Sequence, residues 1–221
     1  MQKLIEGVCR FQAEELGHYS QLFQKLSSEG QKPHTLFITC SDSRILAELI
    51  TKSQPGDLFV VKNVGNIIPP QSVTGSTNST AAAIEYAISE LEVRDIVVCG
   101  HSQCGAVATM MAEDQSILDG EERQHLRAWL TTVAPVRDLV NRGYQHLMDN
   151  PEALLNAASE ENVLFAIENL RTYPAVKRRI KEGTLHLHAW FFKIATAELF
   201  AYDPEIRQFS PLVKAGMQAT L

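Results

Sequence analysis

Apolar residues recur every three or four positions in the first part of the chain, between Gln2 and about Leu26. Such spacing places them on one face of a helix, and only Gly7 and Gly17 interrupt the pattern. The apolar positions are Leu4, Ile5, Val8, Phe11, Leu16, Tyr19, Leu22, Phe23 and Leu26. The pattern therefore predicts one or two helices that form an N-terminal arm.

Three short apolar segments follow, at Thr35–Cys40, Asp57–Lys62 and Asp95–Cys99. They are rich in β-branched and aromatic residues and have apolar side chains on both faces of the predicted strand. This composition is typical of parallel strands that are covered by helices. We therefore predict three neighbouring strands of a parallel sheet.

The segments that follow the second and third strands have helical patterns. Ser79 or Thr80 can cap a helix that runs through Leu91, and another helix is predicted from Ala106, after a turn at residues 100–105. Because strands and helices alternate, the fold class is α/β, with a central mainly parallel β-sheet flanked by helices.

The second half of the chain is predicted to be mainly helical, from about residue 122 to 150 and from 151 to 170. Late strands are predicted at Thr184–Lys193 and Leu199–Tyr202, and the tail after Tyr202 carries little pattern. The sequence contains no solenoid repeat and no low-complexity linker. We therefore predict a single domain over residues 1–221, with a helical arm at about 1–28 and an α/β core at about 33–205.

Composition and charge exclude several classes of protein. Hydrophobic residues make up 45% and charged residues 21% of the chain, as in an ordinary globular protein. The formal net charge is −6, and the basic residues form no block that could follow a phosphate backbone, so we expect no nucleic-acid partner. No apolar stretch approaches the roughly 18 residues of a membrane helix, and no signal-peptide core is visible. We therefore expect a cytoplasmic protein without a membrane partner.

Cysteine and histidine positions suggest a metal site. The 4 cysteines are too few for a disulfide framework in a chain of this length, which leaves their thiols free for metal binding or catalysis. Cys40 ends the first predicted strand, and His101 and Cys104 follow the third. Ligands bind beyond the carboxyl ends of parallel strands, and two thiolates with one imidazole suit a catalytic zinc that has an open fourth position. The sequence thus predicts one Zn²⁺ per chain.

The alternative for an isolated His-x-x-Cys pair is that both residues only pack in the core. Two charged residues near Cys40 favour the metal site instead. Asp42 could reach the same metal, and Arg44 could keep that carboxylate ionised and turned away from it.

Two segments together resemble the signature pair of the β-class carbonic anhydrases: Cys40–Arg44, which reads CSDSR, and Gly100–Gly105, which reads GHSQCG. The resemblance extends from the N-terminal helices to about Tyr202. Within the class, the chain is similar to the plant-type branch and to cyanobacterial carboxysomal enzymes. The resemblance implies a β-carbonic anhydrase fold and a zinc ion held by Cys40, His101 and Cys104.

The implied activity is the reversible hydration of carbon dioxide to bicarbonate and a proton. The resemblance implies attack by a zinc-bound hydroxide that Asp42 orients, with Arg44 as the second member of a dyad. It also implies a substrate pocket lined by Gln31, Phe59, Val64, Tyr86 and Gly105. In the family, the glutamine side of this pocket comes from a partner subunit, so the resemblance implies a homodimer or a larger homo-oligomer built of dimers. A carboxysomal location and a carboxysome scaffold protein as partner remain open.

Four positions depart from the family pattern. Ala81, Ala189 and Ala197 stand where glycines are common, and Lys62 replaces a usual arginine. None of these changes removes a ligand or a member of the dyad. The alanine replacements motivate one alternative, a catalytically weakened zinc-containing assembly protein. A second alternative on the same fold is a hydrolase of carbon disulfide or carbonyl sulfide, for which the sequence offers no positive sign.

Overall fold

The computed structural model describes residues 1–73 and 77–212, and its centre is a six-stranded sheet in the order β2-β1-β3-β4-β5-β6. The strands are β1 (Thr35–Cys40), β2 (Leu58–Asn63), β3 (Asp95–His101), β4 (His186–Lys193), β5 (Glu198–Asp203) and β6 (Gln208–Pro211). The three pairings among β2, β1, β3 and β4 are parallel. The pairings of β4 with β5 and of β5 with β6 are antiparallel. The predicted α/β class with a mainly parallel sheet is therefore confirmed.

Helices surround this sheet. In the described residues they are α1 (Gln2–Arg10), α2 (Leu16–Glu29), α3 (Ala47–Thr51), α4 (Ser79–Ser89), α5 (Gly105–Met111), α6 (Gln124–Thr131), α7 (Ala134–Gly143), α8 (Pro151–Leu170) and α9 (Pro174–Lys181). Residues from α4, α8 and α9 pack on one face of β1 and β3, and α3 packs on the other. Among the residues described, no helix combines the length and the apolar character that a membrane span needs.

The central strands are buried on both faces because alternate side chains enter two different cores. Leu36 and Ile38 of β1 pack beneath α4 and α8, whereas Phe37 packs with Ile45 on the opposite face. All six residues of β1 are buried, as the continuous apolar run predicts. The carboxyl ends of β1 and β3 are thereby fixed side by side.

The N-terminal helices form an extension with few contacts to the sheet. A π-helical turn at Phe11–Glu15 joins α1 to α2, and none of the residues in these three elements is buried. Leu4, Ile5 and Val8 are among their exposed apolar side chains. Leu26 contacts the core near Gly56, where an added Cβ would lie 2.8 Å from its Cδ2.

The predicted cap of α4 is wrong. The cap is Asn78, whose side-chain oxygen accepts a hydrogen bond from the Ala81 amide at 2.9 Å. Asn78 has extended backbone, which allows its short side chain to reach the first turn. Thr80 is buried instead, and its hydroxyl accepts a hydrogen bond from the Asn63 side chain.

Two further expectations for the strands are corrected. Gly100 and His101 belong to β3 rather than to a turn, because Phe191 and Phe192 of β4 continue the pairing alongside them. The tail after Tyr202 contains β6, which the sequence pattern does not reveal. Phe209 of β6 contacts the rings of Phe191 and Tyr202, with centroid distances of 6.2 and 5.4 Å.

The turn between β4 and β5 contains a strained residue. Ala197 adopts φ +54°, a left-handed conformation that favours glycine. This geometry explains why a glycine would suit the position better.

At Gly100, α8 packs closely against the strand that carries His101. A Cβ added at Gly100 would lie 2.5 Å from Val163 Cγ2. We expect Gly100→Ala to lower the free energy of unfolding by about 1–3 kcal/mol, because the Val163 side chain or the helix that carries it must shift. In the Gly100→Ala/Val163→Ala double variant the loss should be smaller than the sum of the two single losses, since the colliding methyl is gone. Urea denaturation of the parent, the two single variants and the double variant measures these free energies of unfolding.

Gly17→Ala is the matched control, because a Cβ at this helical glycine meets no atom within 4 Å. It should leave stability unchanged or raise it slightly. Equal destabilisation by the two glycine substitutions would contradict the steric explanation.

Candidate metal centre

Three metal-type ligands meet at the carboxyl ends of β1 and β3. Cys40 is the last residue of β1, His101 is the last residue of β3, and Cys104 directly precedes α5. Their ligand atoms all lie within 4.8 Å of one another, and all three residues are buried. The adjacency of β1 and β3 therefore brings together residues that are more than 60 positions apart in the sequence.

The orientation of His101 is fixed by its own backbone neighbour. Its Nδ1 lies 2.9 Å from the Ser102 carbonyl oxygen. Because a carbonyl oxygen only accepts, Nδ1 carries the proton and Nε2 presents a lone pair. Nε2 is fully buried and has no hydrogen-bond partner in the described structure. A buried acceptor of this kind suits a metal ligand.

The surroundings of Cys40 favour a thiolate. Its Sγ accepts hydrogen bonds from the backbone amides of Asp42 and Gly65, each at 3.4 Å. A hydrogen bond from Cys104 is the largest influence that lowers the pKa of Cys40, while this shared proton and burial raise the pKa of Cys104. A divalent cation at this position would deprotonate both thiols.

The geometry of the three ligands fits zinc. The two Sγ atoms are 3.9 Å apart, and two sulfurs at about 2.3 Å from a tetrahedral zinc lie about 3.8 Å from each other. Two thiolates and one imidazole are also a donor set that zinc uses in catalytic sites, with a fourth position left for water. In the described part of the chain, these residues therefore form a group whose donor types and sulfur–sulfur distance suit zinc.

Asp42 and Arg44 form a two-pronged ion pair beside the three ligands. Arg44 donates from Nε to Asp42 Oδ1 at 2.9 Å and from Nη2 to Oδ2 at 2.7 Å. This arginine holds the pKa of the Asp42 carboxyl well below its usual range. Asp42 Oδ2 lies 3.9 Å from His101 Nε2, so the carboxylate is next to the ligand group and remains ionised.

Two of the predicted pocket residues lie near this group. Val64 follows β2 directly, next to the Gly65 amide that contacts Cys40, and its side chain is exposed. Gly105 is the first residue of α5, directly after Cys104, and a Cβ added there would meet no atom within 4 Å. Both positions border open space beside the ligands.

The other three predicted pocket residues lie toward the amino ends of the strands, away from the ligand group. Phe59 and Tyr86 contact each other, with ring centroids 5.8 Å apart. Phe59 pairs with Leu36, which precedes Cys40 by four positions, or about 13 Å of strand. Gln31 precedes β1. The backbone of nearby His34 is hydrogen-bonded to the backbones of Asp57 and Arg94, at the amino ends of β2 and β3. Within one chain, the ligand group is therefore far from Gln31, Phe59 and Tyr86.

Two residues that the sequence analysis missed hold the loop after β2. Trp129 Nε1 donates to the Val64 carbonyl at 2.7 Å, and Asn162 Nδ2 donates to the Gly65 carbonyl at 2.9 Å. Asn162 is a buried amide within the apolar part of α8, which is a signal for a structural hydrogen bond. Trp129 gives no comparable signal, because a tryptophan in an amphipathic helix is usually core.

Known proteins are similar to this chain in sequence and architecture. Residues 35–199 match the family model described as carbonic anhydrase. The chain is 42% identical to the carbonic anhydrase of Synechocystis sp., over 95% of this chain and 73% of that protein. It is 38% identical to the carbonic anhydrase of Pseudomonas aeruginosa, over 97% of this chain and 93% of that protein.

Solved structures agree with these matches. The β-carbonic anhydrase CcaA superimposes with a TM-score of 0.88 at 42% identity, over 96% of this chain and 91% of that chain. One of two tetrameric β-carbonic anhydrases from Sordaria macrospora superimposes with a TM-score of 0.78 at 30% identity, over 90% of this chain and 95% of that chain.

We expect Cys104→Ala to abolish zinc binding, because it leaves only two of the three ligands. The parent should contain one zinc per chain after purification in zinc-containing buffer, measured by plasma mass spectrometry. Cys99→Ala is the matched control. Burial raises the pKa of the Cys99 thiol to about 12, and this cysteine lies in the core of β3. Full zinc occupancy in Cys104→Ala, or equal loss in both variants, would refute the ligand assignment.

Proposed function

Because this chain belongs to the β-class carbonic anhydrase family, we propose that it catalyses the reversible hydration of carbon dioxide to bicarbonate and a proton. The observation that carries the proposal is the buried group of Cys40, His101 and Cys104 with the Asp42–Arg44 pair beside it. Cys40, His101 and Cys104 would hold the zinc ion. When bound, zinc supplies Lewis acidity that makes hydroxide available near neutral pH.

Asp42 acts as a fixed hydrogen-bond acceptor. Arg44 engages both carboxylate oxygens, and the Arg44 amide also donates to Asp42 Oδ1 at 2.9 Å. The carboxylate is therefore ionised and cannot rotate freely. From its position near His101 Nε2, Oδ2 can accept a hydrogen bond from an attacking hydroxide. This hydrogen bond directs the lone pair of the hydroxide oxygen toward the carbon of carbon dioxide.

Val64 and Gly105 provide the part of the substrate pocket that belongs to the same chain. The Val64 side chain is apolar and exposed, and this residue directly precedes the Gly65 amide that contacts Cys40, while Gly105 leaves space next to Cys104. An apolar lining of this kind favours an uncharged gas over water. The Trp129 and Asn162 hydrogen bonds keep this wall in place.

Gln31, Phe59 and Tyr86 serve the site of a partner subunit in this proposal. Their separation from the ligands of their own chain supports it. The chain also carries exposed apolar side chains, and patches of such side chains mark interfaces. They include Leu46, Leu49, Val64 and Tyr86, which are 51%, 60%, 43% and 46% exposed. The assembly is therefore a homodimer or a multiple of it, in which Gln31 binds an oxygen of bicarbonate.

The three alanine departures from the family pattern do not weaken this proposal. Ala81 and Ala189 pack in or against the main core, and Ala197 lies in the β4–β5 turn. The geometry of the ligands and of the dyad supports an active enzyme over a weakened assembly protein. The carboxysomal location and the scaffold partner stay predictions of the sequence.

Stopped-flow measurement of proton release from carbon dioxide tests the activity. We expect zinc-loaded protein to accelerate hydration strongly. Arg44→Ala should keep its zinc but lose about 10²-fold or more in kcat, because Asp42 loses the group that fixes its charge and direction. Arg44→Lys keeps the charge without the two-pronged geometry, so an intermediate rate is expected.

Two outcomes would count against this scheme. A zinc-loaded parent that does not exceed the uncatalysed rate would favour the assembly protein, and assays with carbon disulfide and carbonyl sulfide would test the other alternative. Parental turnover in Arg44→Ala would remove the dyad from the mechanism.

Subunit mixing tests whether Gln31 works across the interface. Gln31→Ala and Cys104→Ala subunits each form defective homodimers, but a heterodimer would contain one intact site and one doubly damaged site. Random mixing at equal amounts should therefore restore about one quarter of parental activity, since about half of the dimers are mixed and each has one working site of two. Native mass spectrometry verifies the heterodimers. No recovery in such a sample would place Gln31 in the site of its own chain, and full activity of the Gln31→Ala homodimer would place it outside both sites.

A further inference from the structure

Lys62 connects the edge strand β2 to the loop that carries the dyad. Its Nζ donates to the Ile45 carbonyl at 2.7 Å and to the Asp42 carbonyl at 3.1 Å. These contacts join residues that are 17 and 20 positions apart in the chain. A single ammonium group thus binds both ends of the segment that contains Asp42 and Arg44.

The loop itself is a short turn with one firmly anchored end. The Ile45 amide donates to the Asp42 carbonyl at 3.3 Å, which closes the turn. Ile45 is fully buried and packs in the core with Phe37 and Phe192. At the other end, the Ser41 amide donates to the Asn63 carbonyl, next to Lys62 on β2. Ser43 and Arg44, between these ends, are exposed.

We propose that Lys62 is a positioning residue for the hydration reaction, because it holds the Asp42–Ile45 turn in the conformation that directs the Asp42 carboxylate toward His101. This inference rests on the proposed function. Lys62 acts through backbone carbonyls and does not contact the ligand atoms in the described structure. Its effect on turnover is therefore exerted through Asp42, the residue whose backbone and side chain it orients.

The chemistry of lysine suits this role. Its ammonium is compact and carries three donors on one atom, so it can bind two carbonyls that converge on a single point. An arginine in the same place would spread its donors over a planar fork. Lys62→Arg can keep the charge and at least one of the two contacts, and Lys62→Met keeps the length of the side chain while removing every donor.

We expect Lys62→Met to lower kcat about tenfold, since small displacements of an orienting group have large effects on rate. The KM for carbon dioxide should change less than about twofold, because Lys62 binds the loop through its backbone carbonyls and is not one of the proposed pocket residues. Zinc content should stay at one per chain. Lys62→Arg should recover more than half of the lost kcat. Lys62→Gln, whose amide is too short to reach both carbonyls, should resemble Lys62→Met and serves as the second variant if Lys62→Met does not fold.

Two further readouts separate positioning from general stability. Hydrogen–deuterium exchange in the zinc-loaded protein should accelerate at residues 41–45 in Lys62→Met, with the β1 amides unchanged. The visible absorption of the cobalt-substituted protein should also change, because the environment of the metal depends on where Asp42 lies. Lys181→Met, at an exposed lysine near the end of α9, is the matched control and should leave kcat, exchange and spectrum unaltered.

The outcomes distinguish this inference from the proposed function. If the parent hydrates carbon dioxide and the folded Lys62 variants retain parental kcat and exchange, the inference is wrong and the function stands. A lower melting temperature with parental kcat would likewise assign Lys62 a structural role only and overturn the inference. If the zinc-loaded parent has no activity, the proposed function fails, and the inference fails with it.

Discussion

The parallel pairing of β1 with β3 is the interaction on which the site depends. Its register sets Thr39 beside Cys99, and the Thr39 hydroxyl donates to the Cys99 carbonyl at 2.8 Å. A shift of one residue would turn Cys40 to the other face of the sheet and move it away from His101. Since both strands are buried on two sides, such a shift would also expose several core residues, so the packing fixes the register.

On this frame, the charged loop after β1 is held from three sides. Arg44 links the Asp42 carboxylate to the Gln103 carbonyl, which lies between His101 and Cys104. Lys62 binds the loop to β2, and the Asp42 amide binds it to the Cys40 sulfur. The orientation of the carboxylate is thus set before any substrate arrives. Preorganised charges of this kind are the usual source of large rate effects in enzymes.

The sequence predicts the metal ligands of this site better than the hydrogen bonds that hold the surrounding loops in place. Cys40, His101 and Cys104 are distinctive in residue type and spacing, and the structure brings these three together. Trp129 and Lys62 escape such reasoning because their partners are backbone carbonyls, which every residue has. Asn162 does carry a signal, as a polar residue within an apolar helix, but its partner Gly65 is 97 positions away.

The same distinction applies to the fold. The continuous apolar run of Thr35–Cys40 defines a buried strand by itself, and the prediction matches its bounds. By contrast, β6 is only four residues long and depends on aromatic contacts with two other strands. The sequence pattern predicts a turn at His101, whereas pairing with Phe192 places this residue in β3. Elements that form through distant partners leave little trace in their own sequence.

The left-handed conformation of Ala197 shows that the stability of this fold is below what its architecture allows. An alanine in that conformation stores strain of about 1–2 kcal/mol that a glycine would not, a sizeable fraction of the 5–15 kcal/mol that usually separates a folded domain from its unfolded state. Ala197 contributes no ligand and no member of the dyad. A glycine at this single turn would therefore relieve the strain and leave the chemistry of the enzyme as it is.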